Sequence, residues 1–386
     1  MQEELKRAAK QLPVVAVLGP RQSGKTTLVQ QTFPDKPYVN MEAIHVKELA
    51  LSDPIAFLEQ YPDGAILDEI QEAPSLLSYI QVRVDITRRK GEFIVTGSHQ
   101  LALNEVVAQS LAGRVEILHL LPLSLEELMM AGIEKSLDAT LYTGCYPRVY
   151  IDQLDPTKTY ASYVRTYIER DIRMILQVHN LNLFQKFMIL CASRVGQIFN
   201  KDSLAGEVGV SSKTIGHWLS ILEACYIVYR LPPYFESFGK RVVKSPKMYF
   251  CDVGLVAYLL GIETVDQMAR DPLRGSLFEN LVVNELMKAR YNRGLEARLY
   301  FYQVAGRNEV DVIFQRGHEL IPIEIKSSRT YNSSFLSGIN SFKKTAPDRC
   351  ADPHLIYCGD EEMKIGDIQL LNYRHTARIV SPHERV

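Results

Sequence analysis

The chain has 386 residues, too many for one ordinary core, and 46% of them are apolar, as in globular rather than disordered or fibrous proteins. Lys and Arg number 44 against 45 Asp and Glu, so the formal charge of -1 excludes a globally basic nucleic-acid coat while leaving room for a local basic patch. No run of roughly 18 to 20 uncharged residues is available to span a bilayer, the opening MQEELKRAAKQL lacks the apolar centre of a secretion signal, and the six cysteines form no CxxC pair, so a reducing, cytoplasmic setting with no membrane role is expected.

Residues 1–122 alternate short β-type runs with amphipathic stretches: VVAVLG, TTLVQQTF, GAILDEI, SLLSYIQVRVDITRRK, GEFIVTGS and VEILHLLPL. Strands alternating with helical patterns predict an α/β domain with a parallel sheet covered by helices. Between the first strand and the first of those helices lies GPRQSGKTT, Gly19, Pro20, Arg21, Gln22, Ser23, Gly24, Lys25, Thr26 and Thr27. It fits G-x-x-x-x-G-K-S/T, in which successive backbone N–H groups surround phosphate oxygens and the glycines permit the turn and the close approach. Lys25 would reach the β and γ phosphates of ATP, Thr26 would hold Mg2+, and the helix starting near Lys25 presents its positive end to the same anion.

GAILDEIQEAP ends a strand in Asp68 and Glu69. One carboxylate there would bind the water shell of Mg2+ and the next would polarise the attacking water. A third strand, GEFIVTGSH, ends in small polar residues, and if it lies between the other two, Ser98 would orient the lytic water or touch the γ phosphate. The order of phosphate loop, Asp-Glu strand, polar strand end and then Arg114 in SLAGRVEI resembles the AAA+ ATPases. That resemblance implies that Arg114 reaches into a neighbouring subunit's site in a homo-oligomer; the alternative is a surface arginine at a helix end.

Residues 123–180 turn helical, with LSLEELMM, a break at GCYPR and the periodic TYASYVRTYIERDIRMIL, as a small lid and a connecting helix would. Residues 181–247 follow as a separate module. SLAGEVGVSSKTIGHWLSILEA predicts a short helix over 204–208, a turn at Gly209 and a second helix over 212–224 capped by Ser211 or Ser212, with Ile215, Leu219 and Leu222 as its apolar stripe. With the strand CYIVYRL and a basic hairpin after it, this resembles a winged helix. Such a module implies that Lys213, Thr214, His217 and Trp218 read DNA or RNA while Lys240, Arg241, Lys244 and Lys247 meet phosphates; protein docking is the other common use.

Residues 248–386 return to β-rich segments around the helix LFENLVVNELMKAR. Glu279 falls on that helix, Asp311 on the strand EVDVIF, and Glu324 with Lys326 on IPIEIK, where alternation turns both to one face and Ile323 and Ile325 to the core. D-x12-E-x-K with a helical glutamate upstream resembles the PD-(D/E)xK nuclease fold, with Gln303 a further member. Carboxylates there would hold one or two Mg2+ ions and the lysine would steer water; in catalytically inactive versions the same fold only binds. Together, GPRQSGKTTL, ILDEIQEAP, TGSHQ, SLAGRVEILHLLPLSLEE, GCYPR, YIERDI, KMYFCDVGL, GSLFENLVVNEL, EVDVIF and IPIEIKSS make nearly the whole chain resemble bacterial and archaeal ATPases that join an AAA_14-type AAA+ domain to a DUF4143 domain. Cys145 departs from that pattern, where a second glycine is usual before Tyr-Pro, and the departure weakens any transfer of a nucleotide-sensing role to Arg148.

Overall fold

A computed structural model describes residues 1–98, 111–168, 181–234, 244–304 and 309–381. The chain divides into two units, one made of Met1–Pro122 with Leu222–Ile227 and Tyr291–Leu295, the other of the remainder.

The first unit holds a parallel sheet of β1 (Val14–Leu18), β2 (Tyr38–Asn40), β3 (Ala65–Asp68), β4 (Phe93–Gly97) and β5 (Val115–His119), in the order β2-β3-β4-β1-β5. Its helices are α1 (Gln2–Gln11), α2 (Lys25–Thr32), α3 (Ile44–Ser52), α4 (Pro54–Glu59) and α5 (Leu76–Thr87). Every residue of β1, β3 and β4 is buried, which is why these strands read as unbroken apolar runs rather than alternating ones. Leu5 and Ala8 of α1 and Val29 of α2 pack on Val15, Val17, Ile66 and Ile94 of the sheet. The short edge strand β2, with only Val39 buried, and the helices α3 and α4 after it carry no pattern strong enough to have been anticipated. Because β4 lies between β1 and β3, the carboxyl ends of these three strands share one edge, where ligands of open α/β sheets bind.

The second unit begins with α6 (Leu125–Met130), α7 (Leu137–Thr143), α8 (Pro147–Ile151) and α9 (Pro156–Tyr163). Next come α10 (Leu181–Ala192), α11 (Lys201–Val208) and α12 (Ser212–Ala224), followed by the antiparallel pair β6 (Val228–Leu231) and β7 (Lys247–Phe250). KMYF therefore closes the helical module as the partner of β6, rather than opening the C-terminal sheet. Ser211 caps α12, its Oγ accepting from Thr214 N at 3.1 Å, and Ile215, Leu219 and Leu222 are buried.

After α13 (Val253–Leu259) and α14 (Val265–Arg270) comes the long α15 (Arg274–Tyr291). It leads into β8 (Leu299–Gln303), β9 (Glu309–Arg316), β10 (Glu319–Lys326), α16 (Ser337–Thr345), β11 (His354–Tyr357), β12 (Met363–Ile365), β13 (Ile368–Asn372) and α17 (Ala377–Val380). The strands form one mixed sheet in the order β12-β13-β11-β10-β9-β8, antiparallel along β8-β9-β10 and parallel from β10 to β11 and on to β13. From Leu320 to Ile325 every residue of β10 is buried, so its two faces are not the core-and-solvent pair that simple alternation predicts.

The GCYPR break is a packing joint. Asp252, wholly buried, accepts from Cys145 N (2.6 Å), Tyr160 Oη (2.6 Å) and Leu255 N (3.1 Å), which ties the end of α7 to the start of α13. A Cβ on Gly144 would lie 2.1 Å from Tyr160 Oη, and one on Gly254 would lie 2.5 Å from it, so both crossings require glycine. Arg148 is exposed and pairs with Asp152 at 3.1 Å. Among the described residues no helix is long and apolar enough to cross a membrane.

Candidate active site

The loop from Gly19 to Gly24 leaves the carboxyl end of β1 and enters α2, with Gly24 at φ 95° and Gln22 at φ 64° in the left-handed region. Gly19 has a different reason to lack a side chain: its Cβ would lie 2.0 Å from the carbonyl oxygen of Leu120. Lys25 is buried at 4% exposure, and its Nζ donates to the carbonyl oxygens of Gly19 (3.0 Å) and Pro20 (2.9 Å), so the ammonium sits inside its own loop. Burial lowers the Lys25 pKa against the pull of Glu69 and Asp68. Ser23 Oγ is buried without a hydrogen-bond partner among the described residues, a hydroxyl that a phosphate oxygen would satisfy. Arg21 reaches Glu42 at 3.3 Å. The loop thus offers main-chain donors, the amino end of α2 and one desolvated cation, a set that fits a triphosphate.

Thr26 Oγ1 donates to Asp68, at 2.9 Å from Oδ2 and 3.1 Å from Oδ1, so the hydroxyl and the carboxylate that would share a magnesium ion already face each other. Asp68 also accepts from Tyr38 Oη at 2.7 Å and from Thr96 Oγ1. Glu69, left-handed at φ 56°, donates its amide to Thr96 Oγ1 at 3.1 Å. Its carboxylate accepts from Ser98 Oγ at 2.9 Å and from Gln71 Nε2, and Gln71 Nε2 stands 3.2 Å from Ser98 Oγ. Burial would raise the Glu69 carboxyl, but the Lys25 ammonium, Gln71, Arg21 and Ser98 hold it below its ordinary value, keeping a base in place beside the loop.

Lys25, Thr26, Asp68, Glu69 and Ser98 therefore converge on one sheet edge. Tyr38, Thr96 and Gln71 join them without having been picked out of the sequence. The parallel register sets Leu67 beside Val95, one residue before Asp68 and Thr96, and Thr96 stands two residues before Ser98, the spacing that alternation gives to one face; that is the signal that would have found it.

Arg114 precedes β5 at the opposite end of the sheet, its carbonyl accepting from Val14 N at 3.1 Å. Its guanidinium grips Asp85 of α5 through two bonds, Nε to Oδ1 at 2.5 Å and Nη2 to Oδ2 at 2.8 Å. A five-residue strand, roughly 16 Å long, separates it from the edge that carries this chain's own phosphate loop.

A second cleft, of about 820 Å³, opens in the other unit and is lined by Lys247, Glu279, Gln303, Glu309, Asp311, Glu324 and Lys326, among others. Asp311 Oδ2 accepts from Ile325 N at 2.8 Å and from Lys326 Nζ at 3.2 Å, while Lys326 also reaches Glu324 Oε1 at 2.6 Å. Glu279 Oε1 accepts from Lys247 Nζ at 3.0 Å and Tyr249 Oη at 2.5 Å. Burial pushes the Glu324 carboxyl up to about 8, the Asp311 charge adding and Lys326 opposing, and burial raises Glu279 against the pull of Lys247. Among the described residues the buried Glu324 Oε2 and Gln303 Oε1 atoms have no partner. Among the described residues no three metal-ligating side chains are grouped tightly enough to enclose an ion as they stand.

Two expectations for the helical module are corrected. Trp218 does not face outward: it is 6% exposed and packs its ring on Phe184 (5.3 Å) and Phe187 (5.6 Å) of α10, as core. Lys247 does not meet phosphates from the surface, because it is buried and paired with Glu279 and Glu309. Lys213, His217 and Lys244 are exposed and Thr214 is half-buried, whereas Lys240 and Arg241 lie outside the described residues.

Family models match three segments: AAA_14, an AAA domain, at residues 11–129; DUF8612, a domain of unknown function, at 134–266; and DUF4143, another, at 274–375. The uncharacterized protein Rv2008c of Mycobacterium tuberculosis is 27% identical over 366 residues, covering 94% of this chain and 80% of that one. The uncharacterized protein MJ1637 of Methanocaldococcus jannaschii is 23% identical over 321 residues, 70% of this chain and 66% of that one. Among solved structures, the Walker-type ATPase paby2304 of Pyrococcus abyssi aligns with a TM-score of 0.45 at 14% identity, over 67% of this chain and 94% of that one. AMPPCP-bound DnaA from Aquifex aeolicus aligns at 0.31 and 14% identity, over 57% and 85%. The phosphate loop and the Asp-Glu strand lie inside the segment that matches an AAA domain, and the second acidic cleft draws mainly on the segment that matches DUF4143, so the chain carries an AAA_14-type domain followed by a DUF4143 domain.

Proposed function

We propose that the chain binds ATP and hydrolyses it, with Mg2+, at the edge shared by β1, β3 and β4, and that it works in the cytoplasm as a homo-oligomer in which Arg114 completes a neighbour's site. The observation that carries the reading is the pairing of Thr26 with Asp68 beside a Glu69 carboxylate fixed by Ser98 and Gln71. Lys25 would leave its own loop carbonyls for the β and γ phosphate oxygens. Thr26 and Asp68 are the residues that would hold Mg2+, which when bound neutralises charge across those oxygens. Glu69 accepts a hydrogen bond from the attacking water, and Ser98 and Gln71 keep its oxygens aimed. Six free cysteines agree with a reducing compartment. The test is turnover: Lys25→Ala should lose nucleotide binding, and Glu69→Gln should bind ATP yet hydrolyse it on the order of 100-fold or more slowly. Unchanged rates in both variants remove the reading.

The finer part of the proposal is that nucleotide state is coupled to a region that binds DNA or RNA and cleaves it. Exposed Lys213, His217 and Lys244 support contact with phosphates. The element order α15-β8-β9-β10-α16-β11, with Asp311 and Glu324 both bonded to Lys326, supports a PD-(D/E)xK-like site. A second reading, an ATP-driven scaffold whose cleft only binds a partner, is favoured by the way lysines already neutralise these carboxylates. Incubation with single- and double-stranded substrates in Mn2+ separates the two: cutting lost in Asp311→Ala excludes the scaffold, and no cutting in the parent chain excludes the nuclease.

A further inference from the structure

Lys247 reaches the acidic cleft from outside the sheet that builds it. It opens β7, the strand paired with β6, and its side chain is 5% exposed, with Nζ held 3.0 Å from Glu279 Oε1, paired with Glu309, and 5.7 Å from the centre of the Phe301 ring. It thereby joins the helical Glu279 to the strand-borne Glu309.

The cleft gathers four carboxylates, Glu279, Glu309, Asp311 and Glu324, around two ammoniums, Lys247 and Lys326. Glu279 and Glu309 are taken by Lys247, and Asp311 with Glu324 Oε1 by Lys326. Two buried oxygens are left without a partner among the described residues. Glu324 Oε2 belongs to a side chain only 6% exposed, Gln303 Oε1 lines the same cavity, and neither has a donor. A pair of buried acceptors beside excess carboxylate is complementary to a cation, and a hard divalent cation prefers such oxygens. To gain a third carboxylate beyond Asp311 and Glu324 it would need Glu279 or Glu309, the two groups that Lys247 occupies, Glu279 being the one held on the helix, and it would have to tolerate that ammonium in a poorly solvated cavity.

We propose that Lys247 is a resident cation that competes with a divalent metal ion for Glu279, so that the cleft fills with metal only as Lys247 is drawn away. This inference rests on the reading of the cleft as a cation site. It makes β7, a strand of the helical module, the element that sets metal occupancy in the C-terminal sheet.

The experiment is Mn2+ binding to the full-length, nucleotide-free chain, followed by calorimetry and by the loss of free-ion paramagnetic signal, with Asp311→Asn identifying the share of binding that belongs to the cleft. Lys247→Met should bind Mn2+ at least tenfold more tightly than the parent. So should Lys247→Gln, whose amide still donates to Glu279 and which serves if the methionine variant does not fold; Lys247→Arg, which keeps the charge, should not. A merely structural lysine predicts weaker binding on its removal. Asp311-dependent binding in the parent that is unchanged or weakened in the Met and Gln variants overturns the role of Lys247 and leaves the cation site standing. Absence of Asp311-dependent binding in every variant overturns both.

Discussion

Thr96 joins the two acids of the Asp-Glu pair through one hydroxyl, which donates to Asp68 and accepts from the Glu69 amide at 3.1 Å. That amide belongs to a residue in the left-handed region, a conformation that costs a non-glycine residue about 1–3 kcal/mol and persists only where neighbours hold it. Thr96→Val keeps the β-branched shape of a fully buried strand residue and removes both bonds, leaving a Glu69 N–H without an acceptor. The variant should lose about 1–3 kcal/mol by thermal or denaturant melting and hydrolyse ATP more slowly, because Glu69 loses its anchor. An unaltered melting curve would count against the link. Lys25, Thr26, Asp68 and Glu69 are legible in the sequence because their chemistry is fixed by local spacing. Tyr38 and Gln71 are not, because their value comes from strand order and from a turn. Trp218 and Lys247 mislead for the matching reason: which face of an element is exposed depends on partners distant in sequence, Phe184 and Phe187 for one and Glu279 and Glu309 for the other.

Between elements, the joint of α7, α9 and α13 is a close crossing, and it gives a clean contrast among glycines. In Gly254→Ala the new methyl would meet Tyr160 Oη at 2.5 Å and the Gly144 amide nitrogen at 2.7 Å, so overpacking should cost about 1–3 kcal/mol. Gly216 lies inside α12 with nothing within 4 Å of its Cβ position, and Gly216→Ala should instead stabilise by about 0.5–1 kcal/mol. Melting both variants side by side checks the pair, and equal effects would refute the packing account. The helix over 212–224 was readable from its cap and stripe, which are local signals. The partner of KMYF was not, since an apolar strand does not state in its own residues which neighbour it will pair with.

For the molecule as a whole, the parallel sheet was legible because buried strands leave unbroken apolar runs, and the C-terminal sheet because its strands flank one long helix. The edge strand β2 and the joint at Asp252 escaped because one is too short to have a period and the other exists only after folding. A last consequence follows from β5, which has Arg114 at its start and ends five residues later, at the side of the sheet where the phosphate loop lies. An arginine so placed gives a solitary chain no help with its own nucleotide. Hydrolysis per chain should therefore climb with protein concentration, level off at saturation, and lose that dependence in Arg114→Ala.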